Sequence, residues 1–130
     1  MFKTLIVDNS ATFKQSFRET LYSRFPLMAV EEAGDIKEAL QKVEDFQPDL
    51  MFMDINLPVK SGLELIKRIK YSYPTVIIIV LSSTDSSEYR KAASQKGANY
   101  FVSKTTSTAD EVFDLIESIL SEPEPTQEGP

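Results

Sequence analysis

Residues 50–54 read Leu-Met-Phe-Met-Asp, four consecutive apolar side chains followed by a carboxylate. A strand with one wet face alternates apolar and polar residues, so an unbroken apolar run marks a strand covered on both faces. Leu50–Met53 is such a run, and Val76–Leu81 is another. Three weaker runs, Thr4–Val7, Met28–Val30 and Tyr100–Val102, complete a set of five. Amphipathic stretches separate them. Phe13, Phe17, Leu21 and Phe25 recur every four residues as a core stripe, with Lys14, Arg18 and Glu19 left for the wet side.

Asp35-Ile-Lys-Glu38, Ser61-Gly-Leu-Glu64 and Thr108-Ala-Asp-Glu111 have the form of capping boxes, and they are expected to open the second, third and fifth helices. Asp85 or Ser86 is expected to open the fourth, and Gly97 stands where a glycine would end it. Val112, Leu115, Ile116 and Ile119 form one stripe on the fifth. Strict alternation of strand and helix predicts an α/β fold, a parallel sheet with helices on both faces. Residues 1–120 form the expected domain. The last ten residues, 121–130, hold no apolar side chain and three prolines, as a flexible tail or linker stub would.

The composition removes whole classes of chemistry. With no Cys there is no disulfide framework, thiol nucleophile or thiolate zinc site. With no His there is no imidazole base and no histidine metal ligand. Any metal must be a hard cation held by oxygen. A net charge of −6 argues against non-specific nucleic-acid binding by this domain. The longest aliphatic run, Val76–Leu81, is far too short to cross a bilayer, and the first residues lack a signal peptide's apolar core. The expectation is a cytoplasmic protein with no membrane contact.

In an open parallel sheet, sites form beyond the carboxyl ends of the strands. Asp8 and Asn9 follow the first run, Asp54 the third, Ser82 and Ser83 the fourth, and Ser103 and Lys104 the fifth. Each has an ordinary explanation by itself. Asp8 could cap the first helix, Asp54 could sit in a turn, and Lys104 could be a solvated lysine. Together they place two carboxylates, a hydroxyl and an ammonium on one edge. Two neighbouring carboxylates repel and call for a cation between them or a raised pKa. That set suits magnesium-assisted phosphoryl transfer to a carboxylate.

At these residues the chain resembles the receiver domain of two-component response regulators, the CheY-like phosphoacceptor, over roughly Phe2 to Leu120. "PDLMFMDINLPVKSGLELI" carries most of the resemblance: Asp54 at the acceptor position, Pro58 four residues later and Gly62 eight later. "LIVDN" resembles the acidic pocket, "IIIVLSS" the fourth strand ending in Ser82, and "GANYFVSK" the fifth strand, with Phe101 at the aromatic switch position. The resemblance implies a doubly wound, five-stranded parallel sheet of order 2-1-3-4-5 with five helices, the flavodoxin/CheY-like architecture.

It further implies that a histidine kinase or histidine phosphotransfer protein delivers phosphate to Asp54. Mg²⁺ would be held by Asp54, Asp8, Asn9 and the backbone carbonyl of Asn56. Lys104 and Ser82 would contact phosphoryl oxygens. Ser82 and Phe101 would switch the surface of the fourth helix, fifth strand and fifth helix. That surface would face an output partner or effector domain, and is the face through which a homodimer would form. The domain is expected to promote only its own phosphorylation and dephosphorylation, so it is not an enzyme toward other substrates.

Two positions depart from the family pattern. The second pocket acid is Asn9, which brings a dipole in place of a charge and implies weaker Mg²⁺ binding. Thr105 follows Lys104 where proline is common, and the family's cis bond is expected to persist there. A phosphorylation-independent interaction module with a weakened metal site is the main alternative. A phosphatase of the haloacid-dehalogenase type would want an acid at Asn56. A flavin carrier would want a fuller phosphate loop than Ser10-Ala-Thr12. No DNA-binding helix-turn-helix follows in the sequence, and the chain is expected to be a stand-alone receiver or the front of a longer regulator.

Overall fold

A computed structural model describes residues 2–54, 59–83 and 87–121. Five strands alternate with five helices: β1 (Lys3–Val7), α1 (Ala11–Arg24), β2 (Ala29–Ala33), α2 (Ile36–Phe46), β3 (Leu50–Asp54), α3 (Val59–Ser72), β4 (Ile77–Ser82), α4 (Ser87–Lys96), β5 (Tyr100–Ser103) and α5 (Ala109–Ser121). The strands form one parallel sheet in the order β2-β1-β3-β4-β5. This is the expected doubly wound arrangement.

Alternation along β3 shows why its run is unbroken. Met51 and Met53 enter one core with Leu5, Val7, Ile78 and Val80, covered by Val43 of α2, Ile66 of α3 and Ala93 of α4. Leu50 and Phe52 enter the other with Ile6, Ile79 and Leu81, covered by Leu21 of α1 and Ile116 of α5. Both faces of the central strands are therefore dry, and every position must be apolar.

The edge strand explains its own weak signal. β2 extends past the expected Met28–Val30 to Ala33 and includes Glu31 and Glu32. Glu31 accepts a bond from Lys42 of α2 at 2.6 Å, and Glu32 accepts one from Arg18 of α1 at 3.0 Å. Donating to Glu32 raises the Arg18 pKa, and donating to Glu31 raises that of Lys42. Charged residues are tolerated here because each meets a helix cation at the sheet margin.

Helix boundaries follow the capping chemistry in most cases. Ser10 caps α1, accepting from Phe13 N at 3.1 Å, and Asp35 caps α2, accepting from Glu38 N at 2.7 Å. The α5 box is reciprocal, with Thr108 Oγ1 accepting from Glu111 N and Glu111 Oε1 accepting from Thr108 N, both at 3.2 Å. The third box misleads: α3 starts at Val59, so Ser61 lies inside the helix and does not open it. Asp85 and Ser86 lie outside the described residues, as do Asn56, Pro58 and the tail from 122 onward.

Gly97 ends α4 at φ 116°, with Ala98 N donating to Ala93 O at 3.0 Å. A side chain there would also collide with Lys70, whose Cγ would lie 2.9 Å from the added Cβ. Lys70 Nζ donates to Val76 O at 2.7 Å and to Asn99 Oδ1 at 3.2 Å, tying α3 to the entry of β4 and β5. Burial lowers the pKa of this lysine. Among the described residues no helix is long and apolar enough to cross a membrane.

Candidate functional site

The carboxyl edge of the sheet carries the polar cluster. Val7 pairs with Met53, so Asp8 and Asp54 stand side by side on neighbouring strands. Both are buried, Asp8 at 0% and Asp54 at 4% exposure. Ionised carboxylates at that depth require a partner. Lys104 partners both, its Nζ lying 2.6 Å from Asp8 Oδ2 and 3.4 Å from Asp54 Oδ2, among other contacts of each acid.

Lys104 leaves β5, two strands away from β3, and must span β4 to reach the acids. The register sets this up: Asp54 pairs with Leu81, and Ser82 with Ser103. Lys104 N then donates to Ser82 O at 2.8 Å. Ser82, at the end of β4 between β3 and β5, is fully buried. The turn after β5 is gathered by Ser103 Oγ, which accepts from Thr105 N at 3.3 Å and Thr106 N at 3.2 Å.

The expected cis bond at Lys104–Thr105 is corrected by the structure, since no described peptide bond is cis. A non-proline cis bond costs about 3–4 kcal/mol. The trans chain already delivers the ammonium to both acids, so nothing offsets that cost.

Asp8 does not cap α1, since Ser10 does so by accepting from Phe13 N. Asp8 Oδ1 accepts from Ser10 N at 2.8 Å, shaping the entry to α1, while Oδ2 faces Lys104. Asn9 follows it in the chain and is exposed. Among the described residues no three acidic side chains gather to hold a metal. Two buried carboxylates with no soft ligand nearby suit a hard cation that keeps several waters, as Mg²⁺ does.

Phe101 of β5 is half-buried, with the Arg90 guanidinium 4.8 Å from its ring centroid. The two residues border an open cavity of about 290 Å³ between α4 and β5, also lined by Ala93, Ser94 and Tyr100. Two features escaped the sequence reading. Phe13, assigned to the core stripe, places its ring 4.0 Å from Lys104 Nζ. Arg90 over Phe101 had no signal beyond the register of α4.

Residues 4–117 match the family model described as response regulator receiver domain. The protein-glutamate methylesterase/protein-glutamine glutaminase 1 of Methanosarcina mazei is 36% identical over 128 residues, covering 93% of this chain and 36% of that protein. The transcriptional regulatory protein LnrK of Bacillus subtilis is 29% identical, covering 93% of this chain and 54% of its own. The chain thus spans about a third of the length of the methylesterase relatives it matches. A CheY-like receiver domain protein from Methanospirillum hungatei JF-1 superimposes with a TM-score of 0.84 at 26% identity, covering 99% of each chain. A family match over nearly all of the described fold, joined to that superposition, makes this chain a member of the response regulator receiver domain family.

Proposed function

We propose that this receiver accepts a phosphoryl group on Asp54 and reports it by repacking the surface of α4, β5 and α5. The observation that carries the reading is the buried Asp54 carboxylate at the end of β3, with the Lys104 ammonium 3.4 Å from its Oδ2. An Asp54 oxygen attacks the phosphorus of a phosphohistidine on a kinase or phosphotransfer protein. The P–N bond breaks, the imidazole leaves with its electron pair, and an acyl phosphate forms. Bound Mg²⁺ would neutralise charge on the phosphoryl oxygens, held by Asp8, Asp54, Asn9 and the Asn56 carbonyl. Lys104 shifts from the carboxylates to one phosphoryl oxygen, and the Ser82 hydroxyl donates to another.

Drawing Ser82 toward phosphate frees space beside β5, into which Phe101 turns from its half-buried position. Chemistry is confined to the domain's own Asp54. Residues 1–120 form the receiver unit in the cytoplasm, and 121–130 lead to an effector when the chain is longer. The relatives' names suggest a methylesterase-like or a transcriptional effector. α4 carries Arg90, Lys91 and Lys96 against one acid, Glu88, while α5 carries Asp110, Glu111, Asp114 and Glu117, with Lys96 and Glu117 also paired within the chain to Glu64 and Arg24. A two-fold contact setting α4 of one copy on α5 of another is therefore charge-complementary.

Incubation with phosphoramidate and Mg²⁺ is expected to add one phosphoryl group by intact mass, removable by hydroxylamine. A protein that stays unmodified would favour the phosphorylation-independent interaction module.

Asn9 sets the metal demand. A carboxylate at this position would add an ion-pair contribution that desolvation largely offsets, leaving about 1–2 kcal/mol. Asn9→Asp should therefore bind Mg²⁺ about ten-fold more tightly by calorimetric titration. The variant should also melt at a lower temperature without metal, because a third acid then crowds one ammonium. Identical Mg²⁺ titrations in the two proteins would show that position 9 contributes no ligand.

A further inference from the structure

Phe13 lies in the first turn of α1 and is only half-buried, unlike Leu21 farther along the same helix. Its ring centroid is 4.0 Å from Lys104 Nζ. The other cation–ring pairs among the described residues lie between 4.8 and 5.8 Å, and none involves a residue of the acidic pocket. The ring is itself braced. Phe13 stacks on Phe17 at 5.4 Å and 16°, and Phe17 meets Phe52 edge-on at 4.8 Å and 82°. Phe52 is fully buried in β3, two residues before Asp54. The strand that carries the acid therefore also fixes the ring that faces the ammonium.

An ammonium has three donors and no acceptor. Here two acids lie on one side of it and an aromatic face on another. The ring attracts the cation through its quadrupole without claiming a directional hydrogen bond. A polar residue without a ring at position 13 would compete with the acids for those donors. An aliphatic one would let the long side chain swing toward water.

We propose that Phe13 is a positioning residue for Lys104: its ring face holds the ammonium over the Asp8–Asp54 carboxylate pair and leaves it free to slide onto an incoming phosphoryl oxygen. The contact stands independently, whereas its purpose rests on the phosphoacceptor reading.

The test uses the full chain with Phe13→Leu, which keeps an apolar side chain, and Phe13→Tyr, which keeps the ring. Carbon-detected NMR reads the Lys104 ε-methylene signal, assigned by its disappearance in Lys104→Met. The signal should be shifted upfield by the ring in the wild type and in Phe13→Tyr, and return to its solvent position in Phe13→Leu. Phosphorylation by phosphoramidate should slow about five-fold in Phe13→Leu, the effect of losing one partly desolvated cation–ring contact, and recover in Phe13→Tyr. An unshifted wild-type signal, or one unchanged in Phe13→Leu, would overturn the proposal. Equal slowing in both variants would also overturn it, because loss of packing would then be the cause. A wild type that takes up no phosphate would remove the phosphoacceptor reading, while the methylene signal would still decide whether Phe13 holds the lysine.

Discussion

Asp54→Asn takes up no phosphate from phosphoramidate and Mg²⁺ in the expected result, while the parent chain gains one phosphoryl group. The amide oxygen has nearly the same shape as the carboxylate oxygen it replaces but carries no full charge to attack phosphorus. The fold should survive, because the side chain keeps its volume at the end of β3 and Asp8 still faces Lys104 at 2.6 Å. Loss of activity would then report chemistry and not unfolding. Ser82→Ala gives the contrast: it removes a donor to the phosphoryl group but leaves the acceptor, so uptake should slow and persist. A hydroxylamine-sensitive phosphate on Asp54→Asn would sink the assignment outright, since another acid would be the acceptor.

The second large effect is on stability. Lys104→Met removes the only cation that touches both buried carboxylates among the described ion pairs. Breaking a buried pair by deleting one partner leaves an uncompensated charge and costs about 3–5 kcal/mol. The Lys104 side chain is 17% exposed, so water reaches the pocket mouth and the low end, about 3 kcal/mol, is expected. Urea unfolding without metal should show that loss. Saturating Mg²⁺ should restore part of it, because a cation that binds only the folded pocket stabilises by mass action. Equal stability of variant and parent in metal-free buffer would mean that water already compensates the two acids.

Much of this was legible in the chain itself. The unbroken run Leu50–Met53 required a strand dry on both faces, and the two cores on either side of it bear that out. The strand ends alone point to Asp8, Asp54, Ser82 and Lys104, because in a parallel sheet the residue after each strand must lie on the same edge. Capping chemistry placed the starts of α2 and α5, where the side chain bonds to backbone three residues away. It failed at Ser61, since α3 begins two residues earlier, at Val59. Local hydrogen bonding offers a start but cannot forbid an earlier one.

The sequence by itself therefore determined the order of elements, the buried strands and the edge on which the polar residues collect, because period and chain direction are local properties. Only the tertiary structure decided which groups touch. Lys104 reaches Asp8 across 96 residues of chain, and its peptide bond to Thr105 is trans although proline's usual place suggested otherwise. Phe13 reads as one more core aromatic until α1 packs on β3 and sets its ring over the ammonium. Periodicity assigns a residue to a face of its helix, but contact partners depend on the register between elements, which is set when both faces of the sheet are covered.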